Sequence, residues 1–175
     1  GEKNHFQKQT LWERSIKVPF LISLPSQTQG ADCRALVSLM DFYPTVCRQV
    51  GLPIPEHVEG RDISILLEYP NIPWDFPVMV QNDRHLAIRS GDWKLIQCTD
   101  GTRELYNLVT DPNEFTNLAD DPQHSAIVNT LAVELQVEVD RTFNNSPLEN
   151  RCNVYVANTE NSEIRFHTET GANYW

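Results

Sequence analysis

Between residues 77 and 108 four short apolar runs follow one another, each broken off by turn-forming residues. They are Pro77–Gln81, His85–Arg89, Trp93–Cys98 and Glu104–Leu108, separated by Asn82-Asp83, Ser90-Gly91-Asp92 and Asp100-Gly101. Two of these breaks carry hairpin turn chemistry, so the spacing predicts a four-stranded antiparallel meander. Asp111–Glu114 then reads as a turn, and Asp121-Pro122 opens the longest helix. In that helix Ile127, Leu131, Leu135 and Val139 repeat at helical spacing. A meander has an apolar face to bury, and this helix is the element expected to cover it.

Upstream, Gln7–Ser15 reads as a short helix. Val18–Pro25 is a continuous apolar run marked by prolines, which suits a strand buried on both faces with Pro19 at its start. Ser26–Asp32 is a polar loop. Leu36–Met40 is apolar again, and Asp41 is placed to cap a short helix with Pro44 in its first turn and Gly51 just past its end. Ile63–Leu67 is a short apolar helix or turn. Tyr69–Pro73 is a stiff connector. Downstream of the long helix, Phe143–Trp175 is rich in Asn, Thr and Glu. It holds one alternating run, Cys152–Val156, and room for a hairpin around Asn158–Ser162.

Composition narrows the function classes. The 175 residues carry 14 Lys plus Arg against 24 Asp plus Glu, a formal net charge of −10. An acidic chain is a poor partner for nucleic acid or for anionic membranes. No run approaches the ~18 apolar residues of a membrane span, and the polar start Gly1–His5 is not a signal peptide. The four cysteines, Cys33, Cys47, Cys98 and Cys152, form no CxxC pair; two disulfides and buried free thiols are both compatible with them. No histidine sits in an HExxH spacing, and there is no Gly-rich phosphate loop or GxSxG elbow. Functional groups in parallel sheets gather at strand ends. The Gly1–Glu13 segment, with Lys3 and Lys8 flanking His5 ahead of an apolar run, is therefore a site candidate by position.

The residues themselves carry a resemblance. The stretch from Gly1 to Pro19, GEKNHFQKQTLWERSIKVP, resembles the pattern GEKxHWxKxxLWExxxRVP from the C-terminal half of type I sulfatases. Three further segments follow in the family's order. They are Leu39–Thr45 with Gly51-Leu52-Pro53, then Glu59–Ile63, then Glu104–Asn107 through Asp111–Glu114 to Asn117–Ala119. The likeness covers residues 1 to 140 and is nearest to the choline-sulfatase-like and iduronate-2-sulfatase-like branch.

The resemblance implies an α/β fold of the alkaline-phosphatase-like kind. It divides the chain into the end of the α/β domain over 1–75, a small antiparallel-sheet and helix subdomain over 76–142, and a polar tail over 143–175 of unassigned role. It implies hydrolysis of a sulfate ester, with a formylglycine nucleophile and a calcium ion as cofactors and a sulfated small molecule or glycan as partner. Lys8 matches the family lysine that contacts the sulfate, a compact cation with three donors for a tetrahedral anion. His85 matches a histidine able to face the substrate from the small subdomain, and His5 and Lys3 lie in the segment near the pocket mouth. Trp12 and Glu13 read as packing and anchoring residues.

None of the four cysteine contexts fits the formylglycine motif C/S-x-P/A-x-R, and the family's metal-ligand motif lies upstream of this segment. The chain is therefore expected to be a C-terminal portion, inactive alone, with the N-terminal part of the enzyme as a partner and a homo-oligomer left open. Export or lysosomal targeting is the family's habit. Two rivals remain: a phosphonate or phosphodiester hydrolase of the same superfamily, and a non-catalytic module binding a sulfated ligand or a protein partner.

Overall fold

A computed structural model describes residues 2–5, 8–25, 27, 29–82, 85–145, 155–158 and 163–166. The sheet forms as the turn spacing predicts. Strands β1 (Val78–Asn82), β2 (His85–Ser90), β3 (Trp93–Gln97) and β4 (Arg103–Asn107) pair in sequence order, all antiparallel. The β2–β3 turn closes on Ser90↔Trp93 through Gly91, whose φ of +54° is the left-handed conformation that a two-residue hairpin needs.

Strand alternation gives the sheet two different faces. Leu86, Ile88, Leu95 and Leu105 point to one side. There they meet Val128, Leu131, Ala132, Leu135 and Val139 of α4 (Ser125–Asn145) in the main core. The expected helix and its apolar face are both present, and the helix follows a short 3-10 turn whose start is capped by Asp121, accepting from the Gln123 N–H. Ala87, Ile96 and Tyr106 point to the other side and pack under Leu11, with Trp12 and Val80 around them. Residues 11–13 thus lie on the sheet face that α4 leaves open.

Two upstream expectations need correction. Of the helix expected over Gln7–Ser15, the described residues form only a single turn, α1 (Glu13–Ile16). Leu11 is pulled into the sheet core and Trp12 is extended, so the chain cannot wind before residue 13. Lys17 closes it in extended backbone, and Pro19 two residues further on cannot continue it. Nor is Val18–Leu24 a buried strand. It carries no strand assignment, and Leu21 is 87% exposed. A strand needs ladder partners for its N–H and C=O groups, and none of the described strands pairs with this run.

Residues 38–63 form a second knot. Helix α2 (Phe42–Gln49) is entered through a 3-10 turn, Leu39–Asp41. Ser38, not Asp41, supplies the cap by accepting from Met40 N, while Asp41 reaches back to Ser38 N at 2.7 Å in a capping box. The other oxygen of Asp41 accepts from Arg61 N at 2.7 Å. Gly60 passes against the Met40 carbonyl so closely that a Cβ would lie 1.9 Å from its oxygen. Arg61 goes on to Glu138 of α4 at 2.7 Å, and Arg141 adds a 2.8 Å pair to the same carboxylate. Helix α3 (Ser64–Glu68) follows, buried through Leu66. In the tail, β5 (Tyr155–Asn158) and β6 (Glu163–Phe166) pair antiparallel, the hairpin anticipated around Asn158–Ser162. The run from Cys152 is described only from Tyr155 onward. Among the described cysteines, Cys33, Cys47 and Cys98 are free thiols.

Candidate functional site

The segment bearing Lys3, His5 and Lys8 is bound to the sheet by charge as well as by Leu11. Register puts Arg89 of β2 beside Lys94 of β3 and Lys94 beside Tyr106 of β4, on the face that the segment covers. Lys94 is wholly buried. Its ammonium lies 2.8 Å from Glu114 Oε1 and 3.2 Å from Glu13 Oε1, and Arg89 lies 2.8 Å from the second Glu13 oxygen. Two carboxylates facing two cations leave no uncompensated charge in this buried place, the condition under which burial is tolerated. Glu13 N donates to Glu114 Oε2 at 2.7 Å. One row along, Glu104 Oε2 accepts from Trp12 Nε1 at 2.9 Å and from the Tyr106 hydroxyl at 2.6 Å.

Lys3 does not project freely. Its ammonium donates to the Glu114 carbonyl oxygen and sits 4.3 Å above the Trp12 ring and 4.9 Å from that of Tyr106. Burial lowers its pKa from the ordinary lysine value, against the opposing pull of the Glu114 and Glu104 carboxylates. His5 is exposed and meets the Trp12 ring edge-on, centroids 6.1 Å apart. Lys8 is exposed, and its carbonyl accepts from Thr10 N at 2.7 Å. Lys3 and His5 therefore converge on Trp12, with Lys8 at the outer part of the same loop.

His85 starts β2 opposite Asn82, on the same sheet face as Arg89 but at the far end of the strand. Its Nδ1 is buried and has no hydrogen-bond partner among the described residues, a condition that asks for a ligand or a water. No contact joins it to the Lys3–Lys8 loop among the described residues. A separate cavity of about 170 Å³ lies between residues 13–20 and the sheet and is walled by Ile16, Val18, Phe20 and Val80 over Arg89 and Lys94. Lys3, His5, Lys8 and His85 are not among its lining residues.

Sequence reasoning missed Lys94, Arg89 and Glu114. The signal was available for Lys94. Between Trp93 and Leu95-Ile96, alternation puts it on the same face as Ile96, a buried face, and a buried lysine requires carboxylates. Nothing local indicates that Glu114, in a turn, would supply one of them. Trp12 and Glu13, expected as packing and helix-anchoring residues, anchor the segment to Glu104 and Glu114 rather than within the longer helix expected there.

Among the described residues no group of three or more His, Cys, Asp and Glu side chains is placed to hold an ion.

Comparison with known proteins supplies the frame. Residues 1–141 match the family model "N-sulphoglucosamine sulphohydrolase, C-terminal". An ulvan-active sulfatase of Formosa agariphila is 30% identical over 142 residues, covering 74% of this chain and 28% of that protein. Arylsulfatase K of Rattus norvegicus is 32% identical over 136 residues, covering 67% and 24%. The chain thus spans about a quarter of the length of the curated relatives it matches. Among solved structures, a protein in complex with its substrate D-glucosamine-2-N,6-O-disulfate superposes with a TM-score of 0.53. It is 23% identical and covers 63% of this chain and 25% of its own, a likeness of fold.

Proposed function

Since the chain belongs to the sulfatase family whose C-terminal model spans residues 1–141, we propose that it serves as the C-terminal portion of an enzyme hydrolysing a sulfate ester, of a sulfated glycan or a small molecule. The observation that carries this reading is the anchored loop. The sheet fixes residues 11–13 through Leu11, the Trp12–Glu104 hydrogen bond and the Glu13–Lys94 pair, and Lys8 stands just beyond them in solvent. An ammonium on a rooted loop can meet a sulfate oxygen and stabilise the charge that grows on it as the S–O bond breaks. In this reading His85 and His5 face the substrate from the sheet end and the loop. Lys3, already engaged by Glu114 and Trp12, acts mainly in holding the loop.

Formylglycine and calcium belong to this proposal through the family alone. The described residues provide no donor set for the metal, so no step is assigned to either group here. When present, they supply the nucleophile and a fixed positive charge. Exposed apolar side chains, Leu21, Leu39, Met40 and Phe42 among them, are assigned to contact with the remainder of the enzyme. That assignment is consistent with the quarter share of the relatives' length that this chain covers.

The test is release of inorganic sulfate from 4-nitrophenyl sulfate by the longer polypeptide carrying this chain. The Lys8→Ala variant should be slower by about a hundredfold, the scale of one transition-state contact. A variant as fast as its parent refutes the role of Lys8. The 175-residue chain alone should release none.

A further inference from the structure

One residue closes the Lys8 loop at both ends. The main-chain oxygen of Glu114 accepts from Lys3, upstream of Lys8. The carboxylate of Glu114 accepts from Glu13 N, downstream of Lys8, at 2.7 Å. Its second oxygen is 2.8 Å from the buried Lys94 ammonium, so the carboxylate itself is held from below. The residue sits at φ +59°, a conformation that L side chains rarely adopt and that persists only where surroundings over-determine it. With that backbone, the carbonyl and the side chain of one residue both meet the same loop. Lys3 and Asn4, at φ +54° and +58°, bend the chain sharply at the upstream tie.

We propose that Glu114 is a positioning residue for Lys8, closing the Lys3–Glu13 loop so that the lysine is presented at one place. The inference rests on the reading of Lys8 as the sulfate contact. A lysine stem is flexible, and a loop tied at one end lets its Cα sweep; tying both ends confines the ammonium to the reach of its own side chain. The buried Lys94 is part of the same device, because it fixes the carboxylate that fixes the loop.

The test is a mutant cycle on the longer polypeptide, with 4-nitrophenyl sulfate as substrate. Glu114→Gln keeps an acceptor for Glu13 N but weakens the hold of Lys94. Lys3→Met removes only the upstream tie and stands in should Glu114→Gln fail to fold. Each single variant should lower kcat/KM by about tenfold, within the loss that a misplacement near 1 Å brings. The combination of Lys8→Ala with either should be no slower than Lys8→Ala alone, because a positioning residue has nothing left to position. If the losses instead multiply, Glu114 acts elsewhere and the proposal is overturned. If Lys8→Ala is slow while Glu114→Gln and Lys3→Met both match the parent, the clamp falls and the Lys8 reading survives. If Lys8→Ala has no effect, both fall together.

Discussion

Lys94 Nζ lies 2.8 Å from Glu114 Oε1, and the two side chains are 0% and 1% exposed. Such a pair contributes little net stability over a well-packed apolar substitute, yet breaking it strands a charge. Lys94→Met leaves the Glu114 carboxylate without its ion-pair partner and Glu13 with only Arg89. A loss of about 3–5 kcal/mol is expected in urea unfolding. Loss below 1 kcal/mol would show that water or a shifted Arg89 already compensates the carboxylates.

Gly60 lies directly against the backbone of Met40. A Cβ there would lie 1.9 Å from the Met40 oxygen and 2.4 Å from its carbonyl carbon, backbone atoms that cannot swing aside. Gly60→Ala should destabilise by about 1–3 kcal/mol through overpacking. It should also weaken the Asp41–Arg61 hydrogen bond, which spans the same crossing. A thermal melt equal to that of the parent would contradict this packing.

Tyr106 sets an alkaline limit. Burial, then the hydrogen bond to Glu104, raises the pKa of its phenol well above the ordinary 10. The fold therefore favours the neutral form. The associated stability is fully present below pH 10 and is lost as pH rises from 10 toward the raised value. Unfolding midpoints between pH 9.5 and pH 11 should fall more steeply for the parent than for Tyr106→Phe (about one titrating group's difference). Parallel curves would refute the shift.

Where local pattern decides structure, the sequence was readable. Turn residues at Ser90–Asp92 and the spacing of Leu131, Leu135 and Val139 specify the sheet and α4 without outside help. Val18–Leu24 misleads because a buried strand is defined by its neighbours, and here Val18 and Leu21 are exposed while Phe20, Ile22 and Leu24 are only half-buried. The roles proposed for Lys8 and His85 rest on the resemblance, with position ahead of an apolar run adding to the case for Lys8, since an exposed lysine and a lone histidine have no periodicity to betray them. The clamp was not legible. Glu114 joins residues about a hundred positions upstream, and only the folded sheet brings it to Lys3 and Glu13.

The most direct check of the central claim compares two substrates on the longer polypeptide: 4-nitrophenyl sulfate and a phenyl phosphonate monoester, with inorganic sulfate measured by ion chromatography. Sulfate should be released, and the sulfate ester should be the faster substrate. Cleavage of the phosphonate ester with no release of sulfate would contradict the claim and would move the chain to the phosphonate hydrolases of the same superfamily.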